Sequence, residues 1–425
     1  MTEKKLNEKV YLLVPVFGEK ENVNKQYDNL DERIAEAEAL VESAGATIVG
    51  RGTQNIREIT PATIFGKGKL AEFKADAEEK GATTVICDCL LSPAQAKNLS
   101  DFFDLKTLDK TALILDIFAL NARTNEGKLQ VEVAQLEYLL PRLKGQGKSL
   151  SRLGGGIGTR GPGETKLETD RRHILSRIKN LKSQLRELAE RRELQNERRS
   201  KNGVLTVALA GYTNAGKSTL LNLLSGSDVL AENRLFATLD PTARKVRLGK
   251  TDVVFFDTVG FIRDIPTDLI EAFKSTLSCI KSADLILNVC DLTRDFVSQS
   301  ETTDNILKEI GVVSPVIKVY NKCDNISDFT FCDKNGIVIS AKTGQGVDML
   351  KTKIENFFDD QFIECIIRLD YSKHDLFFKQ KKYAEHTEIK YLDNEIEIKL
   401  RVKKSEYHRF AEITKNDKKE KSEEI

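Results

Sequence analysis

The sequence predicts an α/β protein in which an N-terminal α/β domain, a two-helix basic arm, a second α/β domain with a parallel sheet and a small α+β domain follow one another. Short apolar segments alternate with helical patterns in two separate parts of the chain, which favours parallel sheets covered by helices. A glycine-rich basic segment separates these parts. The chain has 425 residues, more than one hydrophobic core ordinarily serves.

The first predicted domain, residues 1–110, begins with the apolar segment VYLLVPVF from Val10. The order is strand, helix, strand, helix, strand, which argues for a small and largely parallel sheet. The later segments are LDERIAEAEALVESAG from Leu30, ATIVG from Ala46, LAEFKADAEEKGA from Leu70 and TTVIC from Thr83.

The predicted arm covers residues 111–200. Strong helix formers that end near Pro141 predict one or two helices. The segment from Lys144 to Asp170 is rich in glycine and predicts a basic loop. A helix should follow, because apolar residues step by four and three positions and form a heptad-like seam. Two antiparallel helices flanking a long loop tip would fit this pattern. The seam residues are Ile174, Ile178, Leu181, Leu185 and Leu188.

Positive charge is concentrated in one part of a chain whose net charge is only +1. The segment from Arg142 to Lys182 holds 11 basic and three acidic residues, an excess of eight positive charges. Such an excess suggests a polyanionic partner, although a solvated helix face accounts for part of it.

The second predicted α/β domain covers residues 201–360. Its apolar segments are nearly continuous, as in strands that are buried on both faces. A small α+β domain, residues 361–412, should follow, with a turn at Asp393 and Asn394 between two strands. The tail, residues 413–425, is too polar to bury and should be disordered. The strand segments of the second domain are VLTVALAG, VVFF, LILNVCD, PVIKVYN and IVIS.

Composition argues against several other classes of protein. No apolar segment approaches the ~18 residues of a membrane helix, and MTEKKLNEKV at the start lacks the apolar core of a signal peptide. We therefore expect a cytoplasmic protein. The seven cysteines are scattered without a C-x-x-C pair, so small buried hydrophobic residues are favoured over a metal or disulfide site.

Residues Gly211 to Ser218 read GYTNAGKS, which matches the phosphate-loop pattern G-x-x-x-x-G-K-[ST]. The segment follows the predicted strand VLTVALA and opens the helical pattern KSTLLNLLSG, the context that such a loop requires. In this loop, backbone amides cradle phosphates, Lys217 offers a cation to the β and γ oxygens, and the Ser218 hydroxyl binds Mg²⁺. The pattern predicts a nucleotide site.

Two further segments suit such a site. Asp257 opens DTVGF at the end of a predicted strand, where it can hold Mg²⁺ through water while the Gly260 amide meets the γ-phosphate. Thr238 in RLFATLDPT could ligate Mg²⁺ only when that phosphate is present, although a lone threonine in a loop has many structural uses.

Phe261 follows the glycine, where a water-positioning residue often stands. Either the protein is not a hydrolase, or something else positions the water.

The segment NKCD, Asn321 to Asp324, indicates the base. A carboxylate at Asp324 suits the N1-H and exocyclic amine of guanine and would leave adenine unpaired. Four ordered motifs at strand ends therefore predict a G domain. Lys217, Thr238, Gly260 and Asn214 are expected at the reacting phosphate, and Ser218, Thr238 and Asp257 at the metal. The residues expected to line the nucleotide are Gly211, Tyr212, Thr213, Asn214, Ala215, Gly216, Lys217, Ser218, Thr219, Phe236, Ala237, Thr238, Leu239, Asp240, Asp257, Thr258, Val259, Gly260, Asn321, Lys322, Cys323, Asp324, Ser340, Ala341 and Lys342.

Together, GYTNAGKST, LFATLD, DTVGF and NKCD, with PATIFGKGK, LSPAQAKNL and the distinctive GGGIGTRGPGETKLETDRR, resemble the HflX family of GTPases. The likeness covers residues from about 10 to 360. It implies a cytoplasmic GTPase that uses GTP and Mg²⁺, binds the large ribosomal subunit, and helps to separate or rescue stalled ribosomes under stress. We also expect the protein to be a monomer when it is free of the ribosome. Peripheral association with a membrane is a further possible location.

The resemblance also implies that the N-terminal domain and the basic loop reach ribosomal RNA. Independently of the family, glycines suit a backbone that approaches RNA closely, while a disordered basic linker is the alternative. The segment lacks stacking aromatic residues, which argues against reading of single-stranded bases. The residues expected to meet phosphates are Arg152, Arg160, Lys166, Arg171 and Arg172.

The resemblance also implies roles for two residues of the nucleotide site, Phe261 and Asn214. Similar proteins carry a hydrophobic residue at the position of Phe261, so hydrolysis alone should be slow, and a docked ribosome should order the switches or supply the missing group. Asn214 stands where an asparagine helps to bind K⁺ in some related G domains, and such a cation can replace an arginine finger. Asn214 otherwise only shapes the turn.

Three other functions are alternatives to this one. A G domain for RNA modification or membrane-linked transport would need catalytic cysteines or apolar spans, which the sequence does not suggest. A regulatory binding switch would act on another RNA or protein partner without depending on turnover. A second nucleotide site in the first domain has only GKGK at Gly66, a fragment of a phosphate loop, in its favour.

Overall fold

A computed structural model describes residues 8–17, 30–145, 162–201, 204–227, 235–249, 251–263, 266, 269, 273, 277–326, 336–404 and 406–414. Only the backbone is described at residues 144–145, 162–167, 195–201, 382, 385–386 and 411–414. Within these ranges, no helix has both the length and the apolar composition needed to cross a bilayer.

The bounds of the strands and helices are as follows. The strands are β1 (Lys9–Phe17), β2 (Thr47–Ile56), β3 (Thr84–Cys87), β4 (Lys106–Asp109), β5 (Leu205–Gly211), β6 (Thr242–Leu248), β7 (Thr251–Asp257), β8 (Leu285–Asp291), β9 (Val316–Asn321), β10 (Ile337–Val338), β11 (Phe362–Asp370), β12 (Ala384–Tyr391) and β13 (Glu395–Lys403). The helices are α1 (Leu30–Ser43), α2 (Lys67–Glu79), α3 (Pro93–Phe103), α4 (Lys110–Asn121), α5 (Asn125–Leu139), α6 (Pro162–Lys201), α7 (Lys217–Ser225), α8 (Ser278–Lys281), α9 (Phe296–Ile310), α10 (Val347–Asp359), α11 (His374–Gln380) and α12 (Tyr407–Thr414).

The N-terminal sheet has the order β2-β1-β3-β4 and is parallel throughout. Alternate residues of β1 enter two different cores, Leu12 on one face and Leu13 on the other, so the strand is buried on both sides as its apolar sequence predicts. Helix α3 was not among the predicted elements. A capping box between Ser92 and Gln95 begins this helix, with proline in its first turn.

The second sheet has the order β10-β9-β8-β5-β7-β6. It is parallel except at β6, which pairs antiparallel with β7 at the edge. Strand β6 was not predicted, because its segment TARKVRL contains several charged residues and lacks the continuous apolar character of the buried strands. An antiparallel edge strand tolerates this pattern, since one of its faces meets solvent.

Helices α5 and α6 form an antiparallel pair, as predicted. Leu181 on the seam of α6 is buried against Leu129 and Val133 of α5. Salt bridges join the two ends of the contact, Glu126 to Arg192 and Glu137 to Lys182.

The predicted extent of the glycine-rich loop was wrong. Residues expected in the loop up to Asp170 belong to α6, which begins at Pro162. Proline favours the first turn of a helix, and the segment ETKLETD that follows contains good helix formers. The predicted loop residues 146–161 lie outside the described part of the chain.

The C-terminal sheet is antiparallel with the order β11-β13-β12. Phe377 of α11 and Phe410 of α12 are fully buried against it. The two strands and the turn around Asp393 match the prediction, whereas β11 and α12 were not expected. The disordered tail was predicted for residues 413–425, but residues 413 and 414 belong to α12, and residues 415–425 lie outside the described part of the chain. The proposed domain boundaries stay predictions.

One hydrophobic core joins the N-terminal part, the arm and the second sheet. It includes Leu12 and Leu40 from the first domain, and Phe118 from α4. The ring of Phe118 contacts those of Phe236 and Phe273 edge to face, with centroids 4.8 and 4.6 Å away. The segment 235–240, which follows α7, is therefore packed against the first two parts of the chain.

Candidate functional site

The phosphate loop lies between β5 and α7, at the carboxyl end of the parallel sheet. Gly211 and Gly216 have φ angles of 140° and 92°, which side chains rarely adopt. A Cβ at Gly211 would overlap the carbonyl of Val289, and one at Gly216 would overlap the amide of Asn321. Both glycines are therefore required for the loop to reach this position between neighbouring strands.

Lys217 is buried at the first position of α7. Its ammonium donates to the carbonyl oxygens of Gly211 and Tyr212 at 3.1 and 2.8 Å. Burial lowers the pKa of Lys217 to about 8, against the opposite effect of nearby Asp257. A phosphate held by the loop would give this buried ammonium an anionic partner.

Three oxygen-bearing side chains converge beside the loop. The hydroxyls of Ser218 and Thr238 donate to Asp257 Oδ2 at 2.6 and 3.1 Å and lie 3.2 Å from each other. Burial raises the pKa of Asp257, although Lys217 and these hydroxyls oppose the shift. Asp257 Oδ1 is buried and has no hydrogen-bond partner among the described residues. Hydroxyl and carboxylate oxygens are ligands that Mg²⁺ takes, so this cluster could hold a divalent cation.

The ring of Phe261 is turned into a hydrophobic core. The backbone of Phe261 bridges to the phosphate loop, because Thr213 N donates to Phe261 O at 2.7 Å and Phe261 N donates to Gly211 O at 3.0 Å. The ring is 3% exposed and lies in a core with Ala208 and Ile280. Phe261 is therefore a packing residue, and its ring offers no group that could hold a water.

The glycine before Phe261 lies directly against the phosphate loop. A Cβ at Gly260 would come within 2.7 Å of Thr213 Cα and 2.9 Å of Lys217 Nζ. The backbone of Gly260 is thus next to the ammonium that would bind the β and γ oxygens. Thr213 Oγ1 is buried there without a hydrogen-bond partner in the described part of the chain.

The base motif is tied to the phosphate loop by Asn321. Its amide donates to Ala215 O and accepts from Ala341 N, both at 2.8 Å. Asp324 Oδ1 accepts from the Ser340 hydroxyl at 2.7 Å. Ala341, which was expected to line the nucleotide, therefore donates its backbone N–H to Asn321 in this structure. A single side chain connects the three segments that would enclose the nucleotide.

The structure brings the other expected residues into the same group of loops. Lys322 has a left-handed backbone with φ 69°, and its ammonium pairs with Asp291 Oδ2 at 2.6 Å. Asn214 also has a left-handed backbone, with φ 59°, a conformation that asparagine accepts more readily than most residues. Arg152 and Arg160 lie outside the described residues, and the side chain of Lys166 is not described. Thr219 lies in the first turn of α7. The other expected residues in these connecting segments are Phe236, Ala237, Leu239, Thr258, Val259, Cys323 and Lys342.

Several residues that contact the site come from the first two parts of the chain and were missed by the sequence analysis. Tyr212 of the phosphate loop donates to Glu36 of α1, which is 176 residues away. Asn121 and Thr124, around the junction of α4 and α5, bond to the segment 236–240. Such long-range contacts have no local sequence signal.

Three family models match the chain. They are described as GTP-binding GTPase N-terminal over residues 31–119, GTP-binding GTPase Middle Region over residues 121–199, and 50S ribosome-binding GTPase over residues 206–322. The third match covers the phosphate loop, the oxygen cluster and Asn321, so the model for a GTPase coincides with the site described above.

Curated relatives extend the likeness over most of the chain. A GTPase HflX from Caldanaerobacter subterraneus subsp. tengcongensis is 52% identical over 76% of this chain and 77% of its own length. A GTPase HflX from Lacrimispora saccharolytica is 46% identical over 84% of this chain and 85% of its own length, and one from Escherichia coli is 42% identical over 80% and 82%. At this identity over most of both sequences, the chain belongs to the HflX family of GTPases.

Proposed function

We propose that this GTPase binds the large ribosomal subunit, hydrolyses GTP there, and separates or rescues stalled ribosomes under stress. Two observations support the proposal. The family model that matches the G domain is described as a 50S ribosome-binding GTPase. The arm also presents basic residues beside a domain that hydrolyses GTP. A binding surface for RNA phosphates combined with a nucleotide switch suits a factor that acts on ribosomes.

The observation that carries the proposal is the distribution of charge on α6. Arg177, Lys182 and Arg192 form salt bridges with glutamates of α5 and so hold the two helices together. Arg171 and Arg172 are exposed, one to two turns before the contact with α5 begins. These two arginines are therefore available to meet phosphates of RNA. From the sequence, we propose the same role for Arg152, Arg160 and Lys166 of the same basic segment.

Stimulation by the ribosome also has a structural route. Helix α5, which packs against α6, begins at the junction that contacts the segment 236–240. Thr238 in that segment lies in the oxygen cluster. A partner held by the arm would therefore act on the nucleotide site through one intervening helix. This route suits a site in which the residue after Gly260 is buried and cannot position water.

Mg²⁺ fits the oxygen cluster. Ser218, Thr238 and Asp257 would hold it, and the buried Oδ1 of Asp257 is an acceptor without a partner among the described residues. When bound, the ion neutralises charge on the β and γ phosphate oxygens. Lys217 would hold the same oxygens from the other side, and the Gly260 amide would donate to the γ-phosphate. K⁺ bound beside Asn214 is a second candidate cation at the nucleotide site. The left-handed backbone of Asn214 instead favours the alternative that this residue only shapes the turn.

Cosedimentation with purified large ribosomal subunits tests the proposal. The protein is loaded with GDP or with a non-hydrolysable GTP analogue, and binding is measured from low to high salt. The variant Arg171→Glu/Arg172→Glu should bind more weakly and reduce the slope of log affinity against log salt by about two. The control Lys390→Glu/Lys399→Glu makes the same charge change on exposed positions of the C-terminal sheet and should bind like the wild type.

Failure to bind large subunits in either nucleotide state would contradict the proposal. Equal binding in both states would argue against a GTP-dependent action on the ribosome. In those cases the remaining candidate is a regulatory switch that acts on another RNA or protein partner.

A further inference from the structure

The segment 236–240 is held at both ends by the junction between α4 and α5. At one end, Asn121 Nδ2 donates to Phe236 O at 2.9 Å. At the other end, Asp240 Oδ2 accepts from the backbone N–H groups of Arg123 and Thr124 at 2.9 and 2.8 Å. The Thr124 hydroxyl donates to Asp240 Oδ1. These contacts span 115 to 117 residues of sequence.

Asp240 takes part in the capping of a helix that belongs to another part of the chain. Thr124 is the N-cap residue of α5, and its hydroxyl accepts from Gly127 N at 3.0 Å. Asp240 adds an acceptor for the Arg123 and Thr124 amides and places a negative charge at the N-terminal end of this helix. Both features stabilise a helix terminus. The contact therefore strengthens α5 and restrains the segment 236–240 together.

Gly127 makes this approach sterically feasible. It lies in the first turn of α5, and a Cβ at this position would overlap Asp240 Oδ1. An alanine would favour the helix itself by up to ~1 kcal/mol. The glycine is therefore explained by the approach of Asp240, because helix propensity alone disfavours it.

Thr238 lies between the two anchored ends. Its hydroxyl is 3.1 Å from Asp257 Oδ2 and 3.2 Å from the Ser218 hydroxyl. Phe236, two residues earlier, has a left-handed backbone with φ 56° and is buried against Phe118. A bulky residue in this conformation needs its surroundings to hold it. The anchors and this aromatic contact account for that requirement.

We propose that Asp240 is a positioning residue for GTP hydrolysis. It hydrogen-bonds to Thr124 in the space left by Gly127, and it thereby holds Thr238 in the oxygen cluster. The inference rests on the proposed magnesium-binding role of Thr238. Asp240 does not touch the reacting atoms and acts through Thr238. Loss of the contact releases Thr238 and leaves the phosphate loop and the base motif in place.

The variants Gly127→Ala and Asp240→Ala test the proposal, with Gly68→Ala as the control. Gly68 also lies in the first turn of a helix, and a Cβ there meets nothing within 4 Å. In Gly127→Ala and Asp240→Ala, kcat should fall about 10-fold to 100-fold, the effect of a misplacement of about 1 Å, while affinity for GDP stays within about twofold. Hydrogen exchange of the 235–240 amides in the nucleotide-free protein should accelerate about tenfold or more.

Conservative variants separate positioning from simple destabilisation. Thr124→Ser keeps the hydroxyl and should retain wild-type turnover and exchange, whereas Thr124→Val should behave like Asp240→Ala. The double variant Gly127→Ala/Asp240→Ala should be no worse than either single variant, because both remove the same contact. If turnover and exchange in Gly127→Ala and Asp240→Ala both match the Gly68→Ala control, the proposal is overturned.

Thr238→Ala distinguishes failure of this inference from failure of the magnesium assignment. If Thr238→Ala lowers turnover and raises the Mg²⁺ concentration needed for GTP binding, while Gly127→Ala and Asp240→Ala do neither, only the positioning role is wrong. If Thr238→Ala changes neither quantity, both the assignment and the inference fail.

Discussion

The hydroxyl of Tyr212 in the phosphate loop joins the G domain to α1. It donates to the carboxylate of Glu36 and accepts from the backbone N–H of Arg263 at 2.6 Å. Arg263 in turn forms a salt bridge of 2.9 Å with Glu32. The phosphate loop, the segment after DTVGF and the first helix of the chain are therefore linked by one buried tyrosine.

We expect Tyr212→Phe to destabilise the protein by about 1–3 kcal/mol, because it leaves Glu36 and the Arg263 amide without their shared partner. Urea unfolding measures the change. Tyr11→Phe is a matched control, since the Tyr11 hydroxyl also donates to a carboxylate, that of Asp76, which lies at the surface. Tyr11→Phe should lower the free energy of unfolding less than Tyr212→Phe does. Equal losses would argue against a special role for the hydrogen bonds of the Tyr212 hydroxyl.

Glu36 should make stability depend on pH. Burial raises the pKa of Glu36, although Lys110 and the Tyr212 hydroxyl oppose the shift. The folded protein then keeps this proton to a higher pH than the unfolded chain. The contribution of Glu36 to stability is therefore greatest below the ordinary carboxyl pKa and falls as pH rises through the raised value.

The variant Glu36→Gln removes this titration. Its free energy of unfolding, relative to that of the wild type, should increase as pH rises above about 4.5, by at most ~1.4 kcal/mol per pH unit. Urea titrations between pH 4.5 and 7.5 measure this difference. Parallel curves for the two proteins would show that Glu36 does not titrate differently in the folded state.

Phe261→Gln should not create a faster GTPase, although glutamine can position water. The side chain at this position points into the core with Ala208 and Ile280, so the amide would be buried away from the phosphates. We expect a loss of about 3–5 kcal/mol in stability and no gain in the rate of GTP hydrolysis without a partner. Phe261→Leu is the apolar control and should cost less than about 1.5 kcal/mol. Faster hydrolysis by Phe261→Gln would contradict the orientation described here.

Asp324→Asn should change the preferred base. The asparagine can no longer accept two hydrogen bonds from N1-H and the exocyclic amine of guanine, and the loss of a partner costs about 1–3 kcal/mol, or roughly 5-fold to 150-fold in affinity. Xanthine carries an oxygen in place of that amine, so the asparagine NH₂ group could donate to it. Competition between GTP and xanthosine triphosphate measures the change. An unchanged preference for GTP would contradict the assignment of Asp324.

The nucleotide motifs were predictable because each is local. The glycines of the phosphate loop, Asp257 and Asn321 have roles set by a few neighbours along the chain, and parallel strands bring their ends to one edge. The continuous apolar segments also predicted the central strands. Edge strand β6 and strand β11 were missed because they are only partly buried.

The sequence could not predict the direction of the Phe261 ring or the distant partners of Tyr212 and Asp240. The composition of DTVGF shows that Phe261 cannot orient water, but the backbone bridge to Tyr212 decides that its ring enters the core. Glu36, which accepts from Tyr212, and the residues that donate to Asp240 lie more than 100 residues away from these partners along the chain. Neither contact alters the local pattern, so only the packed structure reveals that the first two parts of the chain hold the nucleotide site.

The most direct test of the account is the rate of GTP hydrolysis by the purified protein, alone and with large ribosomal subunits, in K⁺ buffer. We predict slow turnover alone and strong stimulation by the subunits, because the buried Phe261 offers no group that could position water. The stimulation should weaken in Arg171→Glu/Arg172→Glu. Turnover that is unchanged by the subunits, with GTP still bound tightly, would contradict a ribosome-completed GTPase and would favour a switch with another partner.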